Sequence, residues 1–548
     1  MKKYLILLML VSLVAFGQLN LQSFRRQATY VIYDDLDNAL MPEALFGIDG
    51  WRIYTNLSNL SSGTEELMNN ISDSTYVFGV VTPEIAPGMK MVLVYGNTKN
   101  ESDLFNSNET NVFQDIDHDG TFDFRNRVYE LNDTNSVTKQ NRTIFMLSKD
   151  IGGGIVSFEY QRTSLVNYSE SKDSTKVEYY NLPAGDQSMD SVYWETETDD
   201  WGEPSNNFGL TYTMKDLNGY NVGIGAGIGF EKYINSEVGD KYHFYDAQYG
   251  NPTLYDNRMD TFQYRDENDI PVFNIGLGVH AYKEDNGDVT EYTGGFGFGT
   301  GSADYDNLDR HWYRTQQTNG SGNVEVHSLD SYVSDTGAIS YKNYYLYAGG
   351  RWVRKLNDNL YFGMGLNVNY SNSTYGYSGV GVSRDYETFD DGDNEVNDAD
   401  DYTSQTTSWT EYTREDVSRN LVITAPVGVE FAIPKNKKWF IRFGAEAMKS
   451  FHTSVHKYNP SDHQYPITIV QRNDGTVDTT IVDEYTINGY RDTDYSENTT
   501  TSFAYGLGWH PNENISIDFI YMFDPAGVTI FDLASIRALR LSATIKIK

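Results

Sequence analysis

The chain has 548 residues, no cysteine and a formal net charge of -35. Without cysteine there is neither a disulfide framework nor a lipid-attachment site, and so acidic a surface repels phosphate, which sets nucleic acid aside as a partner. The 47 glycines and 43 tyrosines stand beside a mean hydropathy of -0.53, a poor match to a conventional apolar core.

Lys2 and Lys3 precede an apolar run, Leu5 to Val14, that is too short to cross a bilayer, and Ala15 and Gly17 flank Phe16. This is the pattern of a secretory leader over residues 1–17, with cleavage before Gln18. No later run approaches the ~18 apolar residues of a membrane helix. Residues 18–49 read as a plug-like or periplasmic lead-in, with a short strand at Tyr30–Tyr33 ended by Asp34-Asp35-Leu36-Asp37 and Met41-Pro42-Glu43.

From Trp51 the chain acquires a period of two. Trp51, Ile53, Thr55 and Leu57 share one face, and Tyr76–Thr82 and Met89–Gly96 follow across a Pro83–Gly88 turn. The pattern is sharpest in the hairpin Asn207–Phe230. There Val222, Ile224, Ala226, Ile228 and Phe230 alternate with Asn221, Gly223, Gly225, Gly227 and Gly229. Phe273–Ala281, Leu360–Val368 and Ile515–Phe523 repeat it. Tight turns are expected at Lys149–Gly153, Asp216–Gly219, Asp285–Gly287, Asn357–Asn359, Lys435–Lys437 and Asn512–Glu513. Long polar stretches (97–141, 165–205, 231–269, 302–340, 371–418 and 451–499) separate the pairs and read as loops.

One apolar face and one small or polar face, with short turns on one rim and long loops on the other, is the signature of a membrane barrel. Residues 50–548 are therefore expected to form an all-β, transmembrane, antiparallel up-and-down β-barrel. It would have about 16 strands (roughly 14–18), short periplasmic turns and long acidic extracellular loops. A soluble sandwich or propeller is the competing reading. Trp352, Tyr361, Trp439, Phe440, Phe503, Trp509, Tyr521 and Phe523 fall near strand ends, as an interfacial girdle requires, although β-propensity also enriches aromatics.

Parity points Arg52, Glu159, His280, Arg351, Glu430, Arg442, Glu446, Asp518, Arg540 and Lys546 into the lumen. There they either brace the wall or set a field across a pore. The turn at Lys435–Lys437 fixes a register: Ile433 faces Trp439, Phe431 faces Ile441, Val429 faces Phe443, and Glu430 faces Arg442. In a wet lumen that ion pair contributes roughly 0.2–1 kcal/mol.

Asp115, Asp117, Asp119, Gly120 and Asp123 form D-x-D-x-D-G-x-x-D, an oxygen-rich spacing suited to Ca2+. Asn126 stands where an EF-hand has its bidentate glutamate, so the expectation is a weak loop staple, with a plain acidic turn as the alternative. The acidic run Asp390–Asp401 lacks that spacing and reads as solvated. His452 and His456 on an extended strand lie ~13 Å apart and share no ion. No G-x-S-x-G, H-E-x-x-H, P-loop or dinucleotide fingerprint is present, so no enzyme is expected.

By its leader, alternating strands, short turns and long polar stretches, the chain resembles Gram-negative outer-membrane β-barrels. That resemblance implies residence in the outer membrane, with its lipid and lipopolysaccharide as partners. Such barrels usually end on an aromatic residue, whereas this sequence ends Ile545-Lys546-Ile547-Lys548. Asp34-Asp35-Leu36-Asp37-Asn38-Ala39-Leu40-Met41-Pro42-Glu43-Ala44-Leu45 also resembles the plug motif of the long-chain fatty acid transporter family. In that motif an acidic pair precedes Asn-Pro-Ala-Gly-Leu; Met41 stands in place of the Asn and Glu43 of the Ala. The likeness implies a hatch inside the lumen and a lateral path for hydrophobic substrates. The expected function is passive passage of small solutes, hydrophobic ones included. The alternative is a surface barrel whose acidic loops bind cations, lipopolysaccharide or a protein partner.

Overall fold

Strands whose two faces both need cover must close on themselves or stack. In the computed structural model they close. It describes residues 24–57, 74–114, 124–181, 186–247, 256–318, 323–393, 401–434, 438–481, 488–523 and 539–547. Three short helices come first: α1 (Phe24–Thr29), α2 (Asp35–Ala39) and α3 (Pro42–Leu45). Then follow β1 (Trp51–Leu57), β2 (Ser74–Val81), β3 (Met89–Gln114), β4 (Phe124–Asp150), β5 (Gly154–Asn181) and β6 (Asp186–Gly202). The chain continues through β7 (Ser205–Leu217), β8 (Tyr220–Ala247), β9 (Asp256–Asp285), β10 (Asp288–Thr318), β11 (Val324–Asn357) and β12 (Leu360–Asp390). It ends with β13 (Tyr402–Ala432), β14 (Trp439–Arg472), β15 (Val477–Ile481), β16 (Tyr490–Asn512), β17 (Ile515–Phe523) and β18 (Leu539–Ile547). All pair antiparallel in one sheet, and β1 meets both β2 and β18, which closes the ring.

The described strands form 18 segments, more than the expected about sixteen. The excess has a local cause. β6 and β7 both lie between β5 and β8, in succession along one line that breaks at Glu203-Pro204, where proline has no N–H for the ladder. β15 and β16 likewise both lie along β14.

The larger correction concerns the polar stretches expected to be loops, which are mostly strand. Asn132 to Gln140 pairs residue for residue with β3 on one side and β5 on the other. β11 runs for 34 residues, ~110 Å if fully extended. Beyond the apolar belt polar side chains occupy most positions on both faces, an inward cluster of Ile270, Val272, Tyr305, Ile339 and Tyr341 apart, so hydrophobic alternation fades while the backbone ladder persists. Sequence periodicity has nothing to report there. Among the described residues only strands from β3 to β16 carry this extension; the described parts of β1, β2, β17 and β18 are seven to nine residues long.

The tight turns fall where expected wherever they are described. Asn286 and Gly287 have φ of 52° and 87°, the left-handed pair of a two-residue hairpin turn. Lys435–Lys437 lies outside the described residues, but its register is explicit: Glu430 pairs with Arg442, Phe431 with Ile441 and Val429 with Phe443. Next to this rim an apolar belt faces outward, with Leu346 57% and Phe296 52% exposed. Trp439 and Trp509 stack on each other at 5.7 Å in it. Tyr361 and Phe440 do not belong to this girdle. Each shares strand parity with an inward residue (Gly363 and Arg442), and Tyr361 packs beside Val31 and Val353. No helix among the described residues is long and apolar enough to cross a membrane.

Candidate functional site in the bore

The bore is occupied by residues 24–50. Tyr30–Tyr33 is not a strand. Tyr30 takes φ 59° and its N–H bonds to the Arg26 carbonyl, ending α1. Asp34 then caps α2: its carboxylate accepts from the N–H of Leu36 (2.8 Å) and Asp37 (3.3 Å), while Asp37 accepts from the Asp34 N–H (3.1 Å). Pro42 opens α3, where a missing N–H costs nothing. The residues that break the strand pattern thus wind the segment into three compact turns.

Glycines in the wall give this segment its room. A Cβ on Gly506 would come within 2.6 Å of the Ala28 Cβ, and one on Gly363 within 2.5 Å of Val31. Gly428 lies under the Thr29 carbonyl and Gly223 under the Glu43 carboxylate. On the β1–β4 side the contact is apolar instead. Leu36, Ala39, Leu45 and Ile48 pack on Tyr54, Val77, Val92, Val94, Ile144 and Met146, all buried. The expectation of a polar lumen therefore fails along these strands, because the plug, not water, covers them.

Two buried ion networks tie plug to wall. In the first, Arg25 on α1 grips Glu430 with both ends of its guanidinium (2.9 and 2.6 Å). Glu430 also accepts from Arg442 (2.6 Å), and Arg442 donates on to Asp518 (2.5 Å). Glu430 and Arg442 are only 2% and 1% exposed, so the pair expected from the register is buried, with Arg25 the one partner that keeps contact with solvent. In the second, His280 lies between Glu43 and Glu291, 3.0 Å from each. Nε2 donates to the Glu291 carboxylate, which only accepts, while Nδ1 faces Glu43 across an ion-pair distance without hydrogen-bond geometry. Glu291 also accepts from Arg351 (2.7 Å). Arg351 in turn donates to the Val31 carbonyl (3.0 Å) and covers the Tyr33 ring at 3.4 Å.

A third latch sits where the first and last strands meet. Asp35 accepts from Arg52 of β1 at 2.6 Å and lies 3.2 Å from Lys546 of β18. Burial alone would raise its carboxyl, but the Arg52 hydrogen bond and the Lys546 charge outweigh that and hold it below the usual carboxylate range. Lys90 adds a bond to the Leu45 carbonyl (3.3 Å) and a second to that of Ile48.

Of the residues pointed inward by parity, Arg52, His280, Arg351, Glu430, Arg442, Asp518 and Lys546 converge on the plug. Glu446 shares the Arg442 face of β14, with Arg26 and Tyr30 as its charged and polar neighbours. Glu159 stands apart, opposite Met146 and Gly209, with Arg142 the charge near it. Arg540 pairs in register with Ile520, and its side chain is not among those described. Asp115, Asp117, Asp119 and Asp123 lie outside the described residues, as do residues 1–17. His456 donates from Nδ1 to the Asp416 carboxylate (2.9 Å) and pairs across from it, away from His452. Asp390, Asp391 and Asp401 do gather, around backbone N–H groups of the turn at residues 391–393.

Sequence reasoning missed the plug's own partners, Arg25, Asp35 and Glu43. It also missed a legible signal: Met91-Val92-Leu93-Val94 is apolar on both faces, which only a strand covered on both sides requires. A further irregularity lies just above the plug. The β12–β13 ladder skips from Met364–Val427 to Asn367–Thr424, leaving Pro426 beside Gly365 without a ladder bond.

No protein-family model matches the chain, and no curated protein matches it. Among solved structures it is similar to a mutant of the ferric enterobactin receptor PfeA from Pseudomonas aeruginosa (8% identity, 91% of this chain and 81% of that one, TM-score 0.26). It is similar also to a FadL homologue from Pseudomonas aeruginosa (11% identity, 98% and 100% covered, TM-score 0.25). A third is the FrpB iron transporter from Neisseria meningitidis (8% identity, 94% and 83% covered, TM-score 0.25). Superpositions this loose carry no mechanistic weight, and the functional reading rests on the chain's own geometry.

Proposed function

We propose that this protein is an outer-membrane β-barrel transporter whose bore is gated by residues 24–50, and that it passes small solutes, hydrophobic ones included. The observation that carries the reading is the way the plug is held. It adds no strand to the wall; it rests on glycines and on the apolar patch of β1–β4, and is clipped by ion pairs at three points around the ring. Such contacts can be exchanged for water without unfolding a strand, which suits a part that must leave. The outward apolar belt supports the membrane location, and the break at Pro426 supports a sideways exit for an apolar solute once the plug has shifted. Residues 1–17 would direct export.

Planar-bilayer recordings on the full chain test this. The parent should be nearly closed, and a variant with two clips cut (Arg25→Ala with Glu43→Gln) should give stable, larger conductance. Liposomes carrying that variant should admit small solutes faster. If the variant is folded and conducts no more than the parent, the barrel is a structural one and the transport reading falls.

A further inference from the structure

Beyond the apolar belt, on the same outward face, large aromatic side chains stand in polar surroundings. Trp194, Tyr332 and Tyr386 are 39%, 38% and 51% exposed. They are not scattered. Trp194, Tyr242, Thr261, Trp312, Asp330 and Tyr386 are successive cross-strand partners from β6 to β12. The adjacent row, two residues along each strand, is Asp240, Gln263, Arg310, Tyr332 and Arg384. Five strand steps at ~4.8 Å make the band roughly 24 Å long.

Two hollows lie along it. One of about 560 Å³ is lined by Trp194, Tyr242 and Trp312, with the Trp194 and Tyr242 rings stacked at 5.7 Å. The other, of about 230 Å³, is lined by Tyr332, Tyr386 and Arg384, and Arg310 borders both. Arg310 is paired with Asp330 (3.0 and 2.8 Å), Lys241 with Glu195, and Asp240 at one end of the band is matched by Arg384 at the other, so neither sign of charge is in excess along it. Acyl chains are an unsuitable occupant. Along β11 the outward positions between Tyr344 and Tyr332 include Lys342, Ser340, Thr336 and Ser334. Tyr332 is 12 positions beyond Tyr344, ~40 Å along the strand. The band therefore combines flat aromatic faces with planar carboxylate, amide and guanidinium edges and no net charge preference. That chemistry fits a ring with apolar C–H faces and a rim of hydroxyls.

We infer that this band binds a saccharide chain, and that its source is the polysaccharide carried by glycolipid in the surrounding outer leaflet. The source rests on the outer-membrane reading; the sugar chemistry does not. The band faces away from the bore, so it works whether or not the bore transports.

The test uses the full chain in detergent and, as probe, the water-soluble polysaccharide released from smooth lipopolysaccharide by mild acid. Titration should give saturable heat and a shift in tryptophan emission. The pair Trp194→Ala and Trp312→Ala should weaken binding at least roughly tenfold, as loss of two aromatic anchors does. Trp194→Phe with Trp312→Phe should keep most of the affinity, and conductance should stay at the parent value in both. No binding by the folded parent overturns the inference. So does equal affinity in the alanine pair, or full competition by lipid A, which would move the contact to the lipid-facing belt.

Discussion

Arg25→Ala is the most direct test of how the plug is held. The four charges Arg25, Glu430, Arg442 and Asp518 balance, and three of the four side chains are almost wholly buried. Removing Arg25 deletes two hydrogen bonds to Glu430 and one to the Tyr33 carbonyl, and leaves one net negative charge in the network. Breaking a fully buried pair from one side costs about 3–5 kcal/mol. Arg25 retains 27% exposure, so solvent recovers part of this and about 2–3 kcal/mol is expected. That shifts the docked-to-released ratio by roughly 30- to 150-fold. Because the chain has no cysteine, Val31→Cys gives a single thiol at a position 1% exposed when docked. Maleimide labelling of that thiol reads release directly. Labelling should accelerate by the same factor in Arg25→Ala. Adding Glu430→Gln should recover part of the loss, since Arg442 and Asp518 then form a neutral pair. Labelling within twofold of the parent, or a double variant worse than the sum of the singles, would refute the reasoning.

Gly506→Val should expel the plug without touching a charge, because the new side chain occupies the Ala28 position; bilayer conductance should rise while the β-sheet circular dichroism stays unchanged. Glu43→Gln leaves His280 with Glu291 alone. It should loosen α3 by about 1–2 kcal/mol, read as faster hydrogen exchange at residues 42–48 with little change at 24–29. Asp35 gives a pH dependence. Its carboxyl is depressed in the folded state, so its contribution is present above the ordinary carboxylate range and is lost as pH falls through the depressed folded value. Conductance should therefore increase in acid, and Asp35→Asn should flatten that part of the profile.

The wall was legible in sequence wherever one of its faces is apolar. The alternation at Leu360–Val368 and the Glu430–Arg442 register both followed from the cost of turning a charge outward. Much of the upper wall was hidden because polar side chains occupy both of its faces, as at residues 132–140, which show no period though they pair fully. The plug was hidden for a different reason. Turns as short as α1, α2 and α3 carry too few residues for a helical period, and what places them is space: Gly428 and Gly506 looked like ordinary small lumenal residues until Thr29 and Ala28 were seen against them. Charge parity found most of the wall half of each ion network but not Glu291, and could not find Arg25, Asp35 or Glu43, whose charged partners lie hundreds of residues away in all but one case.

The Asp35 latch also bears on how the ring is assembled. Pairing β1 with β18 joins Trp51 to Ile547, nearly the whole length of the chain. Closing so long a loop costs only a little more than closing one half as long, but both edges must exist before it can begin. One carboxylate then touches both edges, through Arg52 and Lys546. The seam and the stopper are therefore completed in a single event, and a chain that has not yet laid down its last strand has only half a clasp. Protection from exchange at β1, β18 and α2 should accordingly appear together, and late.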